Sequence, residues 1–319
     1  MKVLVTGGRG LLGSAVVRAL AARSHEVVCL QRTPAGNGPE VREVLADVTD
    51  ADAVRAAADG ADAIVHLAAM VSMTGRWADF ERVNVGGTRA VMAAARASGA
   101  GRLVFVSSPS VAHAGRPLVG AGADPADPTT ARGNYSRSKA MAERLVLDAT
   151  DIATVAIRPH LVWGPGDTQF VARIADRARR GRLVFVDDGA ALIDTTYVDN
   201  AAEAIGQALD RCHRTDVRGR AFVVTNGEPR TVREVLGRIA RAAGAPEPTW
   251  GVPYRVAAAA GEAVEWAARA GQQDPVLTRF VAEQLATAHW FDQRATRAAL
   301  AWSPQVGLDE GFARLAVSL

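Results

Sequence analysis

Lys2-Val-Leu-Val-Thr6 runs straight into Gly7-Gly8-Arg9-Gly10-Leu11-Leu12-Gly13, and the apolar stretch Leu11–Ala22 follows without a linker. A short β-type run, a glycine-rich turn and an immediate helix make the opening of a βαβ unit. The glycine spacing is G-x-x-G-x-x-G, one position away from G-x-G-x-x-G, and the logic is shared. Glycine admits positive φ and removes the Cβ that would hold a pyrophosphate off the backbone. The helix start then offers free N–H groups and a positive dipole end. In a chain with 30 glycines the triplet alone is weak, and its place between an apolar strand and an apolar helix gives it weight. The bland alternative is a tight turn with close helix packing.

The alternation continues outward from this stretch. Further strands are expected at residues 26–30, 41–45, 63–67, 103–107 and 154–158, with helices at 51–58, 80–98 and 136–149. Apolar strands separated by helices predict an α/β fold, a Rossmann-type doubly wound parallel sheet covered on both faces. Ligands in such sheets bind outside the strand carboxyl ends. The pattern loosens after Gly164-Pro-Gly-Asp167. A helix to Arg180, a short strand at 183–186, strands at 195–199 and 221–225, and a helix at 199–211 are expected next. The expected division is a dinucleotide-binding domain of residues 1–165 plus about 192–225. Residues of about 166–191 plus 226–319 would form a smaller, mostly helical C-terminal substrate lobe.

The 319 residues suffice for a full core, and 49% apolar with 22% charged residues is a globular balance. Net charge is only +3, and there is no basic run or aromatic-basic repeat, which argues against nucleic acid. The arginines of residues 173–182 read as a solvated helix face rather than a phosphate-binding patch. Cys29 and Cys212 are too few for a disulfide framework and read as free thiols in a reducing, cytoplasmic setting. The N-terminus enters a strand and lacks the pattern of a secretory signal. The stretch nearest to a membrane span, residues 256–270, is interrupted by Glu262, Glu265 and Arg269 and reads as an alanine-rich amphipathic helix. No stable membrane insertion is expected.

The second strand should end at an adenosine ribose. NAD sites place an acid there, to accept from the ribose hydroxyls. Here the chain reads Cys29-Leu-Gln-Arg-Thr33, so Gln31 holds the acidic position and Arg32 follows. A carboxylate would repel a 2′-phosphate, whereas a guanidinium binds it bidentately. NADP(H) is therefore expected over NAD(H), with Arg32 as the main phosphate ligand and Arg9 assisting. Asp47 is placed either to accept from the adenine amine or to cap the helix that begins near Thr49.

Only two lysines, Lys2 and Lys139, stand among the 37 cationic side chains, and Lys139 lies four residues after Tyr135, one of three tyrosines. A compact ammonium beside a phenol favours the phenolate and should lower the tyrosine pKa from about 10. Ser107 and Ser108 follow a strand and face the same crevice as the glycine turn. Carbonyl reduction needs a hydride on carbon and a proton on oxygen. The dinucleotide would supply the first and Tyr135 the second, with Ser108 steadying the developing alkoxide. Lys139 would also bond the nicotinamide ribose. The bland account of Tyr135 and Lys139 is an ordinary surface helix.

Over nearly its full length the chain resembles the extended short-chain dehydrogenase/reductase family. The landmarks are Thr6-Gly-Gly-Arg-Gly-Leu-Leu-Gly13, Asp47-Val-Thr-Asp50, His66-Leu-Ala-Ala69, Asn84-Val-Gly-Gly-Thr88, Ser107-Ser108, Tyr135-x-x-x-Lys139 and Arg158-Pro159. Trp77-Ala-Asp-Phe80, Trp163-Gly-Pro-Gly-Asp167, Thr196-Tyr-Val-Asp-Asn200 and Val224-Thr-Asn-Gly-Glu-Pro229 look like its 3β-hydroxysteroid dehydrogenase branch, which includes bacterial 2-alkyl-3-oxoalkanoate reductases. The resemblance implies a catalytic set of Ser108, Tyr135 and Lys139. It implies a cofactor site of Gly7, Arg9, Gly10, Leu11, Leu12, Gly13, Arg32, Asp47, Val48, Leu67, Ala68, Ala69, Asn84 and Pro159, together with Tyr135 and Lys139. It also implies a homodimer built on the helices of residues 80–98 and 136–149. The chain departs from the family at Ala112-His113 and at Trp163, both on the substrate side. Trp77, His113, His160 and Trp163 are the candidate substrate contacts, with core packing or a solvent-facing ring as the alternative for each. His113 and His160 make no metal signature.

The leading expectation is an NADPH-dependent ketoreductase, reversibly a secondary-alcohol dehydrogenase, for an apolar carbonyl substrate such as a 3-oxo acid, a steroid-like ketone or a natural-product ketone. One alternative is a nucleotide-sugar epimerase, which commonly retains NAD through an acid that Gln31 does not supply. Another is a cofactor-sensing binding protein without turnover, although such relatives often lack the tyrosine or the lysine.

Overall fold

The computed structural model describes residues 1–72, 74–113, 115–268 and 278–319. Its centre is a seven-stranded sheet in the order Arg220–Val224, Ala153–Pro159, Arg102–Val106, Ala63–His66, Lys2–Thr6, Glu26–Gln31, Arg42–Leu45. Every neighbouring pair is parallel. The chain winds outward from Lys2–Thr6 to Arg42–Leu45, then returns to add Ala63–His66 on the other side. The strand order therefore reverses beside Lys2–Thr6, and the crevice opens at that reversal. Side chains alternate through the sheet: Val3 and Val5 join one buried cluster, Leu4 the other. Both faces are covered, which is why the inner strands read as nearly continuous apolar runs.

The expected helix at 80–98 is broken into three pieces: a short helix Trp77–Phe80, one turn of π-helix Glu81–Gly86, and an α-helix Gly87–Ser98. The π-turn contains Asn84, whose carboxamide exchanges bonds with the Met70 backbone, at 2.7 Å from Met70 N and 3.2 Å from Met70 O. Single π-turns of this kind are frequent at functional sites.

The C-terminal region is mostly helical, yet it also contributes short strands. A four-stranded sheet runs Arg230–Thr231, Leu192–Ile193, His289–Phe291, Leu118–Ala121. It joins Leu118–Ala121, from within residues 1–165, to segments on both sides of the boundary expected near residue 192. The expected strand at 195–199 is only Thr196–Tyr197, paired with Val162–Trp163, and the strand at 183–186 is only Phe185–Val186. The helix Val198–Arg211 starts before Asp199, so Asp199 is not its cap; its carboxylate faces Arg314 at 3.6 Å. The alanine-rich stretch forms the helix Tyr254–Ala268, and residues 269–270 of the expected span lie outside the described residues. Among the described residues no helix is long and apolar enough to cross a membrane. Cys29 and Cys212 are buried and free.

Candidate active site

The glycine turn is a close-packed cradle. Gly7 has φ +81°, and a Cβ there would lie 2.8 Å from Ala68 N. A Cβ on Gly13 would stand 2.1 Å from the Gly7 carbonyl oxygen, so no side chain fits where helix and turn touch. A Cβ on Gly10 would meet only that same oxygen, at 3.9 Å, which leaves the cleft side open. Gly10 precedes the helix Leu11–Ala22, and no side chain caps that helix start. Free backbone N–H groups and a dipole end over a surface without side chains fit a pyrophosphate.

Behind the cradle lies a buried hydrogen-bond relay. Ala68 N–H donates to Thr6 Oγ1 at 3.2 Å, and Thr6 Oγ1 is 2.7 Å from His66 Nδ1. His66 Nε2 is 3.0 Å from Thr88 Oγ1, which donates to the Asn84 carbonyl at 2.6 Å. The directions are consistent with one arrangement: Thr6 donates to Nδ1, and Nε2–H donates to Thr88. Burial first, then the Lys139 charge, push His66 down to about 3, which keeps this ring neutral and the relay intact. The relay ties the strands Lys2–Thr6 and Ala63–His66 to the helix Gly87–Ser98 and holds the Ala68 backbone.

The cradle opens into a continuous cleft of ≈ 1460 Å³ that runs to the C-terminal region. Gly7, Arg9, Gly10, Leu11, Leu12, Arg32, Asp47, Val48, Leu67, Ala68, Ala69, Ser108, Tyr135, Pro159, His113 and His160 all line it. Gly13, Asn84, Lys139, Trp77 and Trp163 do not line it. Gly13 and Asn84 act from behind the wall, Gly13 through close packing and Asn84 by holding Met70 and Ser138, whose Oγ accepts at 2.9 Å. Trp163 is fully buried, donates to Thr195 Oγ1 at 2.9 Å and stacks on Phe312 at 4.4 Å, so it is a core residue and not a substrate contact. Trp77 lies under the Arg137 guanidinium, 4.2 Å from its ring centre, away from the cleft wall.

Tyr135, Lys139 and Glu143 share one face of the helix Gly133–Leu147. Only Tyr135 reaches the cleft. Lys139 is 2% exposed; its ammonium donates to the Val106 carbonyl at 2.6 Å and lies 3.9 Å from the Phe105 ring centre. Lys139 is buried and Tyr135 half-buried, and their desolvation overturns the expected lowering of the phenol. Burial pushes Tyr135 up to about 12, only partly offset by a hydrogen bond with Ser108. Burial likewise brings Lys139 down to about 7, against the pull of the Glu143 carboxylate. Desolvation disfavours both charged forms, and the ammonium is directed at a carbonyl rather than the phenol. Glu143 is held by Arg158, with Nε donating to Oε2 at 2.9 Å. Ser108 Oγ accepts from Ser110 N at 3.3 Å and lies 3.0 Å from Ser110 Oγ.

At the adenosine end, Gln31 is 5% exposed and both its amide atoms are buried without a hydrogen-bond partner among the described residues. Arg9 Nη1 donates to Thr33 Oγ1 at 2.7 Å, which holds the guanidinium over the cleft rim, and Arg32 is exposed beside it. Asp47 lines the cleft with its Oδ1 accepting from Thr49 N and Thr49 Oγ1, at 2.9 and 2.8 Å. Burial raises Asp47, but the Thr49 hydrogen bonds, with Arg32 and Arg82, outweigh it and hold the carboxyl below its usual range. Asp47 is not the helix cap; Asp50 is, accepting from Ala53 N at 3.0 Å.

The far end of the cleft contains residues that the sequence did not single out: His289, Gln284, Phe280, Val281 and Leu285. Arg173 and Arg177 also line it, one turn apart on the helix Phe170–Arg179, which corrects the reading of that run as wholly solvated. Arg179, Arg180 and Arg182 are exposed, as that reading requires. Burial holds His113, His160 and His289 below the ordinary imidazole range, His160 to about 4 and His289 to about 3. All three rings are neutral at neutral pH.

Residues 4–253 match the model of the 3-beta hydroxysteroid dehydrogenase/isomerase family. The chain is 42% identical to a 2-alkyl-3-oxoalkanoate reductase of Stenotrophomonas maltophilia, across 100% of this chain and 99% of the relative. It is 32% identical to a 3 beta-hydroxysteroid dehydrogenase/Delta 5→4-isomerase of Mycobacterium tuberculosis, across 95% and 86% of the two chains. Among solved structures, the Thermus thermophilus UDP-glucose 4-epimerase complex with NAD superposes with TM-score 0.71 and 27% identity, across 99% of this chain and 98% of that one. The fold and these likenesses define an oxidoreductase of the extended short-chain dehydrogenase/reductase type, NAD(P)-using and acting on CH–OH/C=O groups. The chain belongs to the 3-beta hydroxysteroid dehydrogenase/isomerase family.

Proposed function

We propose that this enzyme is an NADP(H)-preferring ketoreductase, reversibly a secondary-alcohol dehydrogenase, whose substrate is an apolar 3-oxo acid. The observation that carries the reading is one unbroken cleft, with the glycine cradle at one end, Ser108 and Tyr135 on its wall, and Phe280, Val281 and Leu285 beyond them. The substrate class draws on the relative named for 2-alkyl-3-oxoalkanoates.

The nicotinamide, when bound, supplies the hydride that the carbonyl carbon receives. The chain's own groups handle the oxygen. A phenol raised to about 12 carries its proton at neutral pH, which is the form that can give it to a developing alkoxide. Ser108 donates a hydrogen bond to the same oxygen. Lys139 is a positioning residue: it fixes the strand end at Val106 and the helix that carries Tyr135. The proton that Tyr135 releases is replaced from solvent, so one ketone, one NADPH and one proton give one alcohol and one NADP⁺.

The residues at the adenosine end support the phosphate-bearing dinucleotide. Gln31 places no carboxylate beside the ribose, its amide atoms lack partners among the described residues, and Arg32 and Arg9 flank the rim. The function is divided in this reading: the seven-stranded domain holds the cofactor and the helical lobe holds the substrate. A homodimer through the helices Gly87–Ser98 and Gly133–Leu147, in the cytoplasm, completes it; the buried free thiols suit a reducing compartment.

The test is a panel of 3-oxo acids, simple ketones, steroids and nucleotide sugars, followed by NADPH absorbance and product mass. Stoichiometric NADPH consumption with a 3-oxo acid is expected. Sugar isomerisation without net NADPH loss would establish an epimerase instead.

A further inference from the structure

A guanidinium taken out of water needs a partner for its charge. Among the described residues, Arg23, Arg102, Arg158, Arg211, Arg230 and Arg238 are buried or half-buried, and each bonds a carboxylate or a backbone carbonyl. Arg173 and Arg177 are half-buried too, yet neither has a hydrogen bond or an ion pair among the described residues. Both line the cleft, one turn apart on the helix Phe170–Arg179. The acids near them are committed elsewhere. Asp176 accepts from Arg180 Nε at 2.9 Å. Asp167 accepts from the backbone N–H groups of Gln169, Phe170 and Val171, at 2.7, 3.1 and 3.1 Å, at the start of the same helix. Glu283, on the helix that carries Phe280 and Leu285, is held by Arg132 at 3.3 Å. The rings of His113 and His160, which flank His289, are neutral and offer no counter-charge. Like charges four residues apart on a helix repel. Burial, then the Arg173 charge, lower Arg177 against the pull of Asp176. Ile174, Leu183 and Leu236 make the adjoining wall apolar. Two unmatched cations in such a wall cost stability, and a ligand that brings the missing negative charge offsets that cost.

We propose that Arg173 and Arg177 form an oxyanion subsite at the lobe end of the cleft, which takes a carboxylate or phosphate carried by the substrate. The substrate role rests on the ketoreductase reading given above. In that reading the dinucleotide phosphates sit at the other end, in the glycine cradle and beside Arg9 and Arg32. Guanidinium forks bond carboxylate and phosphate alike, two N–H groups to two oxygens. Two forms of a 3-oxoacyl substrate carry such a group. One is the free acid. The other is a thioester on a phosphopantetheine carrier, whose phosphate lies far from the reacting carbonyl.

The experiment saturates the full-length enzyme with NADP⁺ and follows its Tm as inorganic phosphate is added, against sodium chloride of equal ionic strength. A rise of about 2 °C or more is expected in the wild type. It should vanish in Arg173→Gln/Arg177→Gln and return in part in Arg173→Lys/Arg177→Lys. Circular dichroism checks folding, and Arg177→Gln alone serves if the double variant does not fold. No rise in the wild type, or an equal rise in the Gln variant, would overturn the subsite. Kinetics of the reverse reaction then name the source of the anion. 3-Hydroxydecanoic acid is compared with its methyl ester, and the coenzyme A thioester of that acid with its N-acetylcysteamine thioester. In one pair the anionic member should have a KM about tenfold or more below that of the neutral one, a ratio that falls toward one in the Gln variant. Ratios near one in both pairs of the wild type would overturn the substrate role. If none of these compounds is oxidised, the 3-oxo acid reading fails, while the phosphate shift still decides the subsite.

Discussion

The two ends of the cleft are built by opposite rules. The cradle is one short stretch of chain, Gly7 to Gly13, acting through backbone, and its shape is enforced by contacts at Gly7 and Gly13 that leave no room for an added carbon. The substrate end is assembled from side chains separated widely in sequence, Ser108, His113, His160, Arg173, Phe280 and His289 among them. Backbone sites depend on where side chains are absent; the other end depends on which side chains tertiary structure gathers. The first should be intolerant of any side chain at Gly7 or Gly13, whereas the second should respond residue by residue.

The hardest test of this contrast is Gly13→Val. With the Gly7 carbonyl 2.1 Å from any Cβ, the turn or the helix must move. A loss of at least about 3 kcal/mol in stability, or no measurable NADPH binding, is expected. Thermal unfolding and NADPH fluorescence read the two, and a wild-type Tm with wild-type affinity would remove the cradle argument. Next comes Tyr135→Phe, which should lower kcat on the order of a hundredfold or more and leave NADPH affinity nearly intact. Unchanged turnover would end the proton-donor role.

Lys139 supplies a pH test. Its folded pKa of about 7 lies below the ordinary lysine value, so the unfolded chain binds more protons between about pH 7 and about pH 10.4. Stability from this group therefore rises with pH through that window, and its penalty is fully present below it. Relative to wild type, Lys139→Met should be favoured most near pH 6, with the Tm difference shifting by on the order of 5 °C as pH approaches 10. A pH-independent difference would mean that the ammonium is not desolvated. The smallest effect is expected at the rim: Arg32→Ser should weaken NADPH about tenfold and NADH hardly at all, measured by titration. Equal losses for both would sink the phosphate assignment.

The same contrast explains what is legible before folding. The cradle, the parallel sheet and the Ser108–Tyr135 pair rest on local spacing and strand-end position, and the residues carry that information in short runs. Trp163 reads ambiguously because a large aromatic beside a glycine turn looks alike at a cleft mouth and in a core; only Phe312 and Thr195, far along the chain, decide it. His289 sits in a plain three-residue strand with nothing nearby to mark it. Arg173 and Arg177 have the spacing of any solvated helix face, and which side of that helix meets the cleft is fixed by packing against the helix Val232–Ala242. The π-turn has no local signal; the bond between its Asn84 and Met70 comes from outside the helix. The spacing of Tyr135 to Lys139 predicts an acidified phenol, but spacing on a helix does not report the desolvation that both groups experience.

The four-stranded sheet has a consequence for engineering by recombination. Leu118–Ala121 hydrogen bonds beside His289–Phe291, although roughly 170 residues separate them in the sequence. A chimaera that swaps the C-terminal half of this enzyme for that of a relative would leave one ribbon of the donor's sheet behind. Crossover points that carry the segment around Leu118 along with the C-terminal half preserve that seam, and with it the ring of His289 against the ring of His113.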